Sequence, residues 1–143
     1  MRRFLARFGW PLVALALLVG LITQWGLARY GPDRKVSPDE VRAVSGTLEA
    51  AAAAYITALL AQDCGMAKAL VIYHDRDEPR TCRTNRLTGV RQLKPPRSTS
   101  YGWCILYQLW NEGDQPEQPD GRFWHYCFAE TPEGWRLSSQ GMP

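Results

Sequence analysis

Tyr101-Gly-Trp-Cys-Ile-Leu-Tyr-Gln-Leu-Trp110 and Phe123-Trp-His-Tyr-Cys-Phe-Ala129 are the stretches from which the fold is read. Both are rich in the aromatic and aliphatic side chains that suit a pleated, half-buried surface, so both read as strands. Between them runs Asn111-Glu-Gly-Asp-Gln-Pro-Glu-Gln-Pro-Asp-Gly121, polar and punctuated by Gly and Pro, which reads as a loop. Paired as an antiparallel hairpin with Cys104 opposite Cys127, the strands set Leu106 across from His125 and Gln108 across from Phe123. Alternation then puts Phe123, His125 and Cys127 on one face and Trp124, Tyr126 and Phe128 on the other.

That register joins adjacent strands by a Cys104–Cys127 disulfide and leaves Cys64 to pair with Cys82. The chain has four cysteines, an even number, and two disulfides are what an oxidising compartment makes of them. Each closes a loop of roughly 20 residues and contributes about 3 kcal/mol in the chain-entropy account. No two cysteines have C-x-x-C spacing, so no metal site is expected.

Upstream, Ser37-Pro-Asp-Glu40 carries three consistent marks of a helix start: Ser as N-cap, Pro at the first position and Glu reaching back to the Ser amide. Val41, Val44, Leu48, Ala52, Tyr55, Ile56, Leu59 and Leu60 recur at spacings of three and four, which predicts one helix to about Gln62. The alanines from Ala50 to Ala54 read as a surface for close packing against a sheet. Gly65 ends the run, and Met66 to Tyr73 reads as a second, shorter helix. Arg86 to Leu93 is a strand stopped by Pro95-Pro96, and Glu133-Gly134 turns into a last strand over Trp135 to Ser139. Long helix, short helix and a mostly antiparallel meander of about four strands make an α+β fold.

At the N-terminus no charge occurs between Arg7 and Arg29. As a helix those 21 residues would span about 32 Å, enough for a hydrocarbon core of about 30 Å. Trp10 and Trp25 sit near its ends, and Arg2, Arg3 and Arg7 precede it, which predicts a cytoplasmic N-terminus and an extracytoplasmic remainder. The competing reading is a cleaved signal peptide, since the purely apolar run covers only Pro11 to Ile22 and Gly26-Leu27-Ala28 offers small residues for cleavage, giving a secreted protein if 1–28 are removed. Trp25 and the longer uncharged span favour the anchor. The expected organisation is therefore an anchor over 1–29, a stalk over 30–37 and an exported domain over 38–143.

From Arg29 onward 14 basic residues meet 14 acidic ones, so nothing in the balance points to nucleic acid. Charge is nonetheless segregated: Asp75 to Arg97 is basic and Trp110 to Glu133 acidic, an arrangement expected to offset itself across the fold. No G-x-S-x-G, H-E-x-x-H, phosphate-cradling loop or GxGxxG occurs. His125, on a strand face with Phe123 and Cys127, is the one histidine placed to matter. His74 reads as a loop residue. Trp103, Trp124 and Trp135 read as core or core-rim, and Trp110, Trp124 and His125 are the candidates for a ligand or partner surface.

The helix ending Ala54-Tyr-Ile-Thr-Ala-Leu-Leu-Ala-Gln-Asp-Cys-Gly65, the apolar Met66-Ala-Lys-Ala-Leu-Val71 and the ending Thr131-Pro-Glu-Gly-Trp-Arg-Leu-Ser-Ser-Gln-Gly-Met-Pro143 resemble the NTF2-like (cystatin-like, SnoaL-related) superfamily, in its small exported or membrane-anchored bacterial members. The resemblance covers Pro38 onward. It implies a curved sheet folded around the long helix, a cone whose mouth is a pocket. Isomerase and cyclase branches of that superfamily use a pocket Asp base with a Tyr or Asp on the substrate oxygen, but no motif here fixes such an Asp. The reading is thus a membrane-tethered binding domain with no catalytic residues and no cofactor, engaging a protein or an envelope component. A carrier of small apolar ligands, an isomerase- or cyclase-like enzyme, and a scaffold subunit of a secretion or conjugation apparatus are the alternatives.

Overall fold

The structure, a computed structural model, describes residues 16–20, 33–72, 82, 86–112 and 121–142. Residues 16–20 are helical, with Leu17, Leu18 and Val19 exposed. The remainder of the expected anchor lies outside the described residues, and among those described no single helix is long and apolar enough to cross a membrane. The chain divides into Met1–Pro32 and a compact unit, Asp33–Pro143.

Within that unit the expected long helix is two helices, α1 (Pro38–Val44) and α2 (Leu48–Ala61), bent by 117°. Ser37 and Glu40 form the reciprocal cap at the start of α1. The break at Ser45-Gly46-Thr47 has a tertiary cause. The Ser45 carbonyl accepts the Trp135 N–H at 2.8 Å and the Ser45 hydroxyl accepts Arg136 Nη1 at 2.6 Å, while the Thr47 hydroxyl caps α2 by accepting the Ala50 N–H at 3.1 Å. Three residues of low helix propensity are close to one helical turn, so the apolar spacing runs on across the break and conceals it.

Gln62 closes α2 in the left-handed region at φ 56°, and Asp63 caps α3 (Cys64–Ala69) by accepting the Met66 N–H at 3.0 Å. This second helix starts before Met66 and stops short of Tyr73. Past it, Leu70 accepts the Leu137 N–H and the Ile72 N–H donates to Leu137, so the chain runs along the edge of the sheet as a parallel bridge, Val71 to Leu137.

The sheet is antiparallel and curved. It comprises β1 (Leu87–Gln92), β2 (Arg97–Thr99), β3 (Gly102–Asn111), β4 (Arg122–Thr131) and β5 (Gly134–Gly141), in the order β1-β3-β4-β5 with β2 also on β3. Bulges at Leu87/Gly89 and Cys127/Phe128 bend it. β2 is absent from the sequence reading because three residues after Pro95-Pro96 are too few to show alternation. In the central hairpin Cys104 faces Cys127, Leu106 faces His125 and Gln108 faces Phe123. Both disulfides, Cys64–Cys82 and Cys104–Cys127, are present, with Cα separations of 5.7 and 3.9 Å.

One face of this sheet carries the core. Ile105, Tyr107, Leu109, Tyr126, Phe128 and Leu137 are buried there with the inner side of α2. Tyr55, 1% exposed, meets Tyr126 and Phe128 edge-on with ring centroids 5.3 and 6.4 Å apart. Ala51 and Ala52 are also buried. Having no side chain beyond Cβ, they let the helix approach the aromatic layer closely.

Residues 33–37, within the span expected as a stalk, belong to this unit, and 30–32 lie outside the described residues. Arg34 Nη1 pairs with Glu40 at 2.8 Å and Nη2 with Asp63 at 2.9 Å. Its backbone lies so close to Gly65 that any Cβ there would collide with the Arg34 carbonyl. The folded unit therefore begins at Asp33, ahead of the expected boundary at Pro38.

Candidate functional site

The face of the sheet turned away from α2 holds the open surface. Strand alternation sends Cys104, Leu106, Gln108 and Trp110 of β3, and Phe123, His125 and Cys127 of β4, to this side. Near the Cys104–Cys127 end a groove of about 430 Å³ opens, walled by Thr99, Ser100 and Tyr101 of the turn into β3 and by Ser139 to Met142 at the end of the chain. The disulfide and His125 also line it.

The groove is held by its own hydrogen bonds. Thr99 Oγ1 accepts the Tyr101 N–H at 3.1 Å and lies 3.1 Å from Cys104 Sγ. Ser138 Oγ stands 2.9 Å from the Tyr101 carbonyl and 3.0 Å from that of Cys127, tying the turn to the hairpin. Its wall contains no carboxylate and no Lys or Arg. Among the described residues the His125 imidazole has no hydrogen-bond or ion-pair partner, so nothing there orients its ring.

The three residues expected to form a ligand surface are not brought together. Trp124 is on the opposite face, packed against the core. Trp110 shares the face of His125, but its indole lies across two glycines: a Cβ on Gly89 would sit 3.2 Å from the ring and one on Gly121 3.0 Å from Nε1. Gly121 is required there twice over, since its φ of +69° is the left-handed region. Trp110 is thus a wedge closing the far end of the hairpin. His125 alone of the three faces the groove.

Sequence reading passed over Phe123, 48% exposed on this face, although alternation had placed it beside His125. It also passed over the position of the arginines. Arg91 pairs across to Gln108 and Arg97 to Cys104, so both project on the groove side. Among the described residues Arg91, Lys94 and Arg97 form no ion pair, whereas Arg34 pairs with Glu40 and Asp63, Arg42 with Asp39, and Arg136 with Glu133. Of the two segments expected to offset each other, 75–81, 83–85 and 113–120 lie outside the described residues.

Burial pushes the Tyr107 phenol up to about 12. The buried polar residues among those described are Ser45, Gln108 and Arg136, with no carboxylate. No cluster of three or more His, Cys, Asp or Glu placed to hold a metal occurs among the described residues. Comparisons with protein-family models, with curated proteins and with solved structures found no match to this chain.

Proposed function

We propose that the chain is a membrane-anchored, extracytoplasmic binding domain of NTF2-like architecture that engages a protein partner or envelope component through the outer sheet face and performs no catalysis. One observation carries this reading. Between α2 and the sheet, where an enzyme of that architecture would hold its substrate, Tyr55, Tyr107, Tyr126 and Phe128 are packed together, none more than 5% exposed, and no described carboxylate is buried among them. The open apolar surface is on the other side. Export is supported by the two disulfides, which persist in oxidising compartments.

The test is site-directed photo-crosslinking in the native membrane with the reactive group at Phe123, on the outer face, and in parallel at Glu49, on the exposed side of α2. A discrete protein or polymer adduct from Phe123 and none from Glu49 is the expected result. Adducts from neither position would remove the outer face as the binding surface. A second reading, a carrier of small apolar ligands, is favoured by the groove alone. Native mass spectrometry of the purified chain decides it, since a bound small molecule would favour the carrier and a clean protein the interaction domain.

A further inference from the structure

Arg91 and Arg97 flank β3 on one side and project on one face, opposite Gln108 and Cys104. Four residues of strand separate those two positions, about 13 Å. The row between them is Leu106 and His125, and Phe123 lies beside Gln108. Both arginines are exposed and without an ion pair among the described residues. No Asp or Glu stands at any described position paired on this face.

Two guanidinium groups without an ion pair among the described residues, about 13 Å apart along the strand with Leu106 and His125 between them, form a pattern with its own complement. An extended chain directs residues i, i+2 and i+4 to one side over the same distance of about 13 Å. We infer that the outer face receives an extended segment of a partner protein with the pattern acid-x-apolar-x-acid. This inference rests on the binding-domain reading above. The two carboxylates meet Arg91 and Arg97, and the apolar side chain lies on Leu106 and His125 at the mouth of the groove. A single lipid headgroup or fatty carboxylate satisfies one arginine and has no reason to respect the spacing. Exposed charges of this kind set specificity and encounter rate more than raw affinity, and salt screens them.

The probe is a fluorescein-labelled peptide, Ser-Glu-Thr-Leu-Thr-Glu-Ser, titrated with the full chain in detergent and read by fluorescence anisotropy at low salt. The same peptide with both Glu replaced by Gln is the control. The Glu peptide is expected to bind about tenfold tighter, the effect of two exposed charge pairs. The Arg91→Ala/Arg97→Ala variant should lose that preference, whereas Arg86→Ala, an exposed cation outside the row, should keep it. An unchanged disulfide map and circular dichroism spectrum show that the double variant is folded. Equal binding of the two peptides, or a preference surviving in the double variant, overturns the inference. So does arginine-dependent binding to phosphatidylcholine–phosphatidylglycerol vesicles without any peptide preference. A protein adduct from Phe123 combined with no peptide preference would refute this segment chemistry while leaving the binding-domain reading intact.

Discussion

Arg34 holds two carboxylates at once, and each carboxylate also caps a helix. The Ser37 backbone N–H and then Arg34 keep the Glu40 carboxyl below its ordinary range. Burial works to raise Asp63, but the Met66 N–H and Arg34 outweigh it and hold that carboxyl low as well. A carboxyl lowered by folding stabilises the native state above its unfolded value, and the contribution is lost as pH falls through the folded one. Acid should therefore weaken the domain below the usual carboxylate range. The variants Asp63→Asn and Glu40→Gln should be less stable near neutrality and lose less on acidification, as urea melts at about pH 7 and about pH 3 will show. Tyr107 acts at the other end: the unfolded phenol ionises near 10 and the folded one at about 12, so stability should decline across that interval. Gly65→Ala forces a methyl group onto the Arg34 carbonyl and should cost about 1–3 kcal/mol, the usual effect of overpacking. His125, unpartnered in its groove, should tolerate replacement by Gln with modest change in stability and binding. A folded His125→Gln variant devoid of biological activity would instead point to catalysis, where loss of a base costs about 10²–10⁴ in rate.

Elements are divided and joined by a few polar contacts. The gap between α1 and α2 exists because Ser45 serves the edge of β5 with both its carbonyl and its hydroxyl. Removing the hydroxyl strips the buried Arg136 guanidinium of a partner, so Ser45→Ala should cost about 1–3 kcal/mol. Thr47→Ala, which removes only a cap, should cost about 1 kcal/mol. Denaturant melts that ranked the two the other way would show that the cap, not the link to β5, sets the break. The hairpin is stapled near the end away from its loop by Cys104–Cys127. Replacing both cysteines by Ala should lower stability by about 2–5 kcal/mol, and non-reducing peptide mapping of the parent chain should recover that bond together with Cys64–Cys82.

Over the whole molecule the reading places the folded unit outside the cytoplasm, on the strength of Arg2, Arg3 and Arg7 before an uncharged stretch. A reporter fused after Pro143 should be active only on the outer side of the membrane, and activity in the cytoplasm would refute the topology. The sequence by itself determined the hairpin register, because strand alternation has a period of two and a slip by one residue would have turned Cys104 and Cys127 to opposite faces. It determined the start of α1 as well, because a capping box is written in neighbouring residues. Tertiary structure alone decided where that helix breaks, that 70–72 and β2 extend the sheet, and that Arg91 and Arg97 stand on one face without an ion pair among the described residues. Each of these depends on which distant residue satisfies a backbone group or covers a side chain, and local spacing carries no record of such partners.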